Sequence, residues 1–246
     1  MKDPAIQRRA DGFRERGGQV TRIEAFVDAA FAFAVTLLVI SFEHIPETSA
    51  ELLEALKRIP AFAASFALIA TVWNAHNTWS RRYGLDDRRS VVLSLTLVFQ
   101  VLVYVYPLRI LFESCFAWLT GGWIPPSYQI RDLSDLQVMY RVYAAAWSFL
   151  GLNVLALYAH AWSQRGNLAL DRQERLGTVG ELGAWALAPA TGCLSALLIG
   201  LLGQEGLPEW VFGAPGMCYA LMGFTLPCAR LAQRLARARI VREIGL

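Results

Sequence analysis

Three ionisable residues stand where apolar chain surrounds them. Asp28 lies two turns into the run TRIEAFVDAAFAFAVTLLVISF at residues 21–42, Arg22 opens that run, and His76 lies near the end of a second one, 59–80. At 1.5 Å per helical residue, Asp28 is about 9 Å beyond Arg22 and His76 about 7–8 Å before Arg81. As antiparallel neighbours the two runs hold acid and imidazole at nearly equal depth, and the long stem of Arg22 can bend toward them. Three kinds of chemistry are open to such a cluster. It can pin two helices together. It can sense protons, since imidazole and carboxylate shift each other's titration across neutral pH. Asp28 can also bind an ion directly.

Little else in the chain reads as chemistry. Arg109 and Glu113 are four apart and form a local ion pair on one helix face. His44 has Glu43 and Glu47 beside it, a weak grouping, and His160 next to Trp162 reads as an interfacial histidine. HExxH and GxSxG motifs are absent, as are paired acids within one apolar run, so no enzyme is expected. Cys115, Cys193, Cys218 and Cys228 form no CxxC pair and read as small buried hydrophobes. Neither a metal site nor an organic cofactor is expected.

The elements that must hold these residues are membrane helices. Of 246 residues 55% are hydrophobic and 17% charged, where a soluble domain carries about a quarter charged. The apolar residues gather in runs of about twenty, enough to cross about 30 Å of hydrocarbon. Six spans are predicted, at 22–42, 59–80, 91–112, 138–162, 182–202 and 210–229. Four alternating segments hold 18 of the 23 basic residues. Six of these residues lie between Lys2 and Arg22, four between Arg81 and Arg89, three between Arg165 and Arg175, and five between Arg230 and Arg242. The positive-inside rule then puts both termini in the cytoplasm. Trp79, Trp162 and Trp185 fall near the inner interface, and Trp118, Trp123 and Trp210 near the outer one.

The predicted organisation is a soluble tail over 1–21, in part disordered, a six-helix transmembrane domain over 22–229, and a basic tail over 230–246. The first tail has no apolar core before Thr21 and so is not a signal peptide. The last reads either as an amphipathic helix on anionic lipid or as a solvated extension of the sixth span. A long outer link, 113–137, could cap the bundle.

On the first span, Phe33, Leu37, Ile40 and His44 share one helical face, with Thr36 beside it and alanines at 29, 30, 32 and 34 allowing close helix contact. Periodicity alone assigns such a stripe to packing or lipid.

RIEAFVDAAFAFAVTLLVIS resembles the first-helix signature of the transmembrane protein 175 potassium-channel family, R-x3-F-S-D followed by A-x-T-L-L. Arg22, Phe26, Asp28, Ala34, Thr36, Leu37 and Leu38 supply it in register. Trp73 and His76 match the family's W-x2-H pattern, and Pro107 ends a similar third helix. The specific likeness covers about the first 110 residues.

The resemblance implies an all-α homotetramer in the cell inner membrane, with first helices lining a central pore and no re-entrant filter loop. Potassium would be the permeant ion. Phe33, Leu37 and Ile40 would form the apolar constriction, Thr36 the hydroxyl layer, and Arg22, Asp28 and His76 the network that holds the pore helix. Two positions depart from the pattern. Val27 replaces a serine, and Phe33 replaces an aliphatic residue at the main constriction. A non-conducting structural or interaction protein of the same family is the alternative, with a secondary transporter behind it. The partners expected are further copies of the chain and the bilayer, not nucleic acid.

Overall fold

The structure, a computed structural model, describes residues 8–40, 46–125, 128, 130–204 and 206–244, with side chains at all of these but 40, 209, 210 and 238–244. Glu43, His44 and the side chain of Ile40 therefore lie outside the described residues. Apart from one antiparallel bridge between Arg8 and Arg14, the regular structure described is helical. In chain order it comprises α1 (Arg22–Ile40), α2 (Ser49–Lys57), α3 (Ile59–Tyr83), α4 (Arg88–Leu119), α5 (Leu133–Ser163), α6 (Arg172–Trp185) and α7 (Leu187–Leu202). Two 3-10 turns, Glu209–Gly213 and Cys218–Phe224, flank the short α8 (Ala214–Met217) before α9 (Thr225–Ile244).

Among the described residues, five helical stretches are long and apolar enough to cross a membrane: Ile59–Tyr83, Arg88–Leu119, Leu133–Ser163, Arg172–Leu202 and Val211–Arg237. The spans expected at 59–80, 91–112, 138–162 and 182–202 fall inside them, and the one at 210–229 does so apart from its first residue. The polar flanks can continue the helix because capping residues end it later. Asp87, Asp132 and Asp171 cap α4, α5 and α6, each accepting from the amide three residues on. Gly84 stops α3 at φ 56°, a left-handed position that suits glycine. The 19-residue α1 is not among the five, and it carries Arg22, Glu24 and Asp28 in its first two turns. The link expected at 113–137 is shortened from both sides, because α4 runs on to Leu119 and α5 begins at Leu133.

α4 and α5 form the middle of the bundle, with α3 and α1 packed on α4 and α7 packed along α5. The α5–α7 approach is close because both helices offer glycine. A β-carbon on Gly192 would stand 2.2 Å from Ser148 Oγ, and one on Gly151 would stand 2.5 Å from Ala188 Cβ. Small residues let membrane helices gain dispersion contact where lipid gives them no hydrophobic drive. Inside α4, Arg109 Nε donates to Glu113 Oε1 at 2.8 Å, so the pair read from the spacing is present, and both residues are buried.

The basic segments meet at one end of the bundle. Arg16 Nη1 donates to Arg82 O and Nη2 to Leu168 O, both at 3.1 Å, tying residues 8–17 to the end of α3 and to the α5–α6 link. At the opposite end Lys57 lies 5.5 Å over the Trp123 ring, and Gln137 Nε2 donates to Gly203 O at 2.7 Å.

Candidate functional site

α1 begins at a capping box. Thr21 Oγ1 accepts from the amide of Glu24 at 3.2 Å, and Glu24 Oε2 accepts from the amide of Thr21 at 2.7 Å. The other carboxylate oxygen of Glu24 accepts from the Ser80 hydroxyl on α3, fastening the first turn of α1 to its neighbour. From there Val27, Phe31, Ala34 and Leu38 form a buried stripe at i, i+4, i+7, i+11, packed against α3 and α4.

Among the described residues, nothing covers the opposite face of α1. Arg22, Ala29 and Thr36 are exposed there, as are Phe26 at 53%, Phe33 at 55% and Val39 at 45%, and Asp28 is exposed at its edge. Thr36 Oγ1 donates to Ala32 O at 3.0 Å, which spends its proton on the helix and turns oxygen lone pairs outward. Leu37 is half-buried and packs on the core at the flank of this face, so Phe33 and Thr36 share the open face and Leu37 borders it. Ile40 ends the helix.

Arg22, Asp28 and His76 do not share a hydrogen bond among the described residues. Asp28 Oδ1 accepts from Trp73 Nε1 at 2.8 Å. His76 is buried and its Nε2 stands 2.9 Å from Ser94 Oγ on α4, with its ring against Trp79. His76 thus joins α3 to α4, while Trp73 joins α3 to α1. The reason is rotational. Burial of Val27 points the next residue, 100° further round the helix, to the edge of the α1–α3 seam, where the long Trp73 side chain reaches it.

Residues 8–17, part of the expected tail, fold against the basic end instead. Glu174 on α6 is fully buried, and its carboxylate accepts from Arg14 Nη2 and Arg16 Nη2 at 2.9 Å each, from Arg16 Nη1 at 3.0 Å and from the Arg14 amide at 2.9 Å. Arg82 bridges Asp11 at 3.0 Å and Glu181 at 2.7 Å, and Arg8 reaches Asp171 at 2.6 Å. Phe13 is buried, edge-on to Tyr83 at 6.0 Å and beneath the Arg82 guanidinium at 4.4 Å. Burial pushes the Asp11 carboxyl up, but hydrogen bonds from Arg82 and the Phe13 amide outweigh it and hold Asp11 below the usual carboxylate range. At Asp171, burial is likewise outweighed, by the Glu174 amide and by Arg8.

His160 pairs with Asp87 at 2.9 Å, just before α4. Burial raises the Asp87 carboxyl, but the Ser90 hydroxyl, His160 and the Ser90 amide together bring it from 3.8 to about 2. A depressed carboxylate stabilises the fold fully above its unfolded value and loses that contribution as pH falls through the folded one. Acidification from 3.8 toward about 2 should therefore lower the melting temperature of the wild-type protein more than that of Asp87→Asn. Equal losses in detergent melts of the two would refute the coupling.

Sequence reasoning passed over Glu24, Trp73 as a hydrogen-bond donor, Ser94 and the whole 8–17 segment. T-x-x-E at 21–24 and D-x-x-E at 171–174 are capping-box patterns that could have marked Glu24 and Glu174. Nothing local marks Ser94 or Phe13, whose partners lie far along the chain. No group of three or more His, Cys, Asp or Glu among the described residues could hold a metal.

Against known proteins, the model of the family described as endosomal/lysosomal potassium channel TMEM175 matches residues 22–107, which hold α1, α3 and most of α4. A protein of Marivirga tractuosa named potassium channel is 46% identical over 99 residues. That match spans 40% of this chain and 40% of the relative. A crystal structure of a variant of the potassium channel MtTMEM175, bound to a nanobody–MBP fusion protein, superposes with a TM-score of 0.77 at 28% identity. It covers 94% of this chain and 100% of that one.

Proposed function

We propose that the chain, which resembles the transmembrane protein 175 potassium-channel family over residues 22–107 and in its fold, is a member of it and forms a potassium-permeable pore lined by α1. The observation that carries this reading is the uncovered face of α1. An arginine and an acid on a helix in the bilayer cost a few kcal/mol facing lipid, and such groups face water or protein instead. A second copy of the chain, or a water-filled axis, meets that need.

In this reading α1 is a sixth span, four copies surround one axis, and both termini are cytoplasmic in the cell inner membrane. Phe33 narrows the pore, flanked by Leu37 and Ile40. An apolar ring gates by dewetting or by stripping part of an ion's hydration shell. Potassium gives up water more readily than sodium, and the Thr36 oxygens offer lone pairs where water is lost, without a carbonyl filter loop. Arg22 and Asp28 with Trp73 hold the pore helix, and His76 braces α3 behind it. The transmembrane domain spans 22–229, and the basic part of α9, from Arg230 on, lies toward anionic lipid at the cytoplasmic face.

Val27 is fully buried in the seam against α3 and α4. A valine there strengthens packing without touching the open face, so this departure does not argue against conduction. The test is potassium and sodium flux from liposomes that hold the purified protein. Potassium flux should exceed sodium flux, and Phe33→Ala should raise both. Thr36→Val should shift the preference by roughly 2- to 10-fold, the worth of one net hydrogen bond. Folded protein that passes neither ion, even as Phe33→Ala, would leave a non-conducting relative as the better reading.

A further inference from the structure

We infer that residues 8–17 are a strap that holds the basic end of α1 in place, with Phe13, Arg14 and Arg16 as positioning residues for that helix. Its effect on gating rests on the pore reading above.

The strap is seated at three kinds of contact. Phe13 fills a slot bounded by Tyr83, Arg82 and Gly177, and a β-carbon on Gly177 would stand 2.6 Å from the Phe13 ring. Arg14 and Arg16 close on the buried Glu174 carboxylate. The amides of Arg16 and Gly17 donate to Arg81 O at 3.2 and 3.1 Å, pressing the strap backbone onto the end of α3. Gly17 lies so close that a β-carbon there would stand 2.7 Å from Ser80 O.

This seat lies one short link from α1. Residues 18–20 are all that separates Gly17 from the capping residue Thr21. Extended chain reaches at most about 3.3–3.6 Å per residue, so with the strap seated the start of α1 has only a small radius in which to move. The Glu24–Ser80 bond pins the same turn to the same stretch of α3 that the strap grips. α6, which carries Glu174, packs along α9, so the strap couples α1 to both the third helix and the last. With the strap released, the Glu24–Ser80 and Asp28–Trp73 bonds and the seam remain to resist tilting of the first turns of α1.

Phe13→Ala and Gly177→Ala test this in the full-length protein, one by emptying the slot and the other by filling it. Neither touches α1. Limited trypsin digestion reads the seat, since Arg14 and Arg16 become cleavable when the strap lifts. Hydrogen exchange reads α1. Amides 22–30 should exchange roughly fivefold or more faster in the variants, the lower end of typical coupling between sites, while 150–157 in the middle of α5 stay as in wild type. Cleavage without faster exchange in α1, faster exchange in both helices alike, or no cleavage in either variant would each overturn the inference. Where wild type conducts, the open-to-closed ratio should shift in both variants by a similar factor, with the potassium-to-sodium preference unchanged. A wild type that passes no ions ends the pore reading, and the exchange result alone then judges the strap.

Discussion

Glu174→Ala should lower the unfolding free energy by about 3–5 kcal/mol, the usual cost of removing one partner from a buried ion pair. The glutamate is fully buried, whereas the side chains of Arg14 and Arg16 keep 23% and 17% exposure. The substitution would leave two guanidinium groups side by side, with neither the carboxylate nor full hydration to compensate them. Glu174→Gln should cost less, because an amide oxygen still accepts part of what the carboxylate does. Arg8→Ala is the contrast. Its pair with Asp171 is 47% and 32% exposed, and surface pairs are worth about 0–1 kcal/mol. Denaturant or thermal unfolding in detergent would order the variants. A Glu174→Ala protein no weaker than Arg8→Ala would show that the buried pair contributes little.

Glu113→Ala should be as costly, about 3–5 kcal/mol, for a reason at the other end of the bundle. Arg109 and Glu113 lie on the same face of α4, and their side chains are 10% and 2% exposed. Removing the acid takes away the carboxylate that the arginine was desolvated to meet. Replacing both residues by apolar ones of similar volume removes charge and penalty together, and such swaps are often neutral or stabilising by about 1–4 kcal/mol. Arg109→Met with Glu113→Leu should therefore recover most of what Glu113→Ala loses, and a double-mutant cycle measures the coupling. A double variant as weak as the single one would mean that the pair carries more than its own electrostatics.

The parts of the fold legible in sequence were those with local causes. Span lengths follow from runs of apolar residues, and the Arg109–Glu113 pair follows from spacing on one helix. The shared end of the basic segments followed from their alternation along the chain, and the contacts of Arg16 with Arg82 and Leu168 bring three of those segments together. Element ends were less legible. Water-side turns extend a helix beyond its apolar stretch until a cap stops it, as Asp132 and Gly84 do.

At the candidate site the residue types were legible but their rotation was not. Nothing in RIEAFVDAAFAF says which face of α1 turns inward, because apolar side chains occupy nearly every side of it. Packing chose the stripe through Val27, Phe31, Ala34 and Leu38. That choice left Phe33 and Thr36 open, set Leu37 at the border and gave Asp28 to Trp73 rather than to His76.

The sequence by itself determined that this chain is helical and made for a membrane, and its first two apolar runs carried residues that resemble the signature of a potassium-channel family. These properties depend on composition and on spacings shorter than a helix turn or two. Only the tertiary structure decided that residues 8–17 fold back onto α3 and α6, that His76 belongs to Ser94, and that the other described residues leave one face of α1 uncovered. Each depends on groups tens to well over a hundred residues apart, such as Arg14 and Glu174, whose pairing becomes favourable only once the bundle brings them together and removes water from between them.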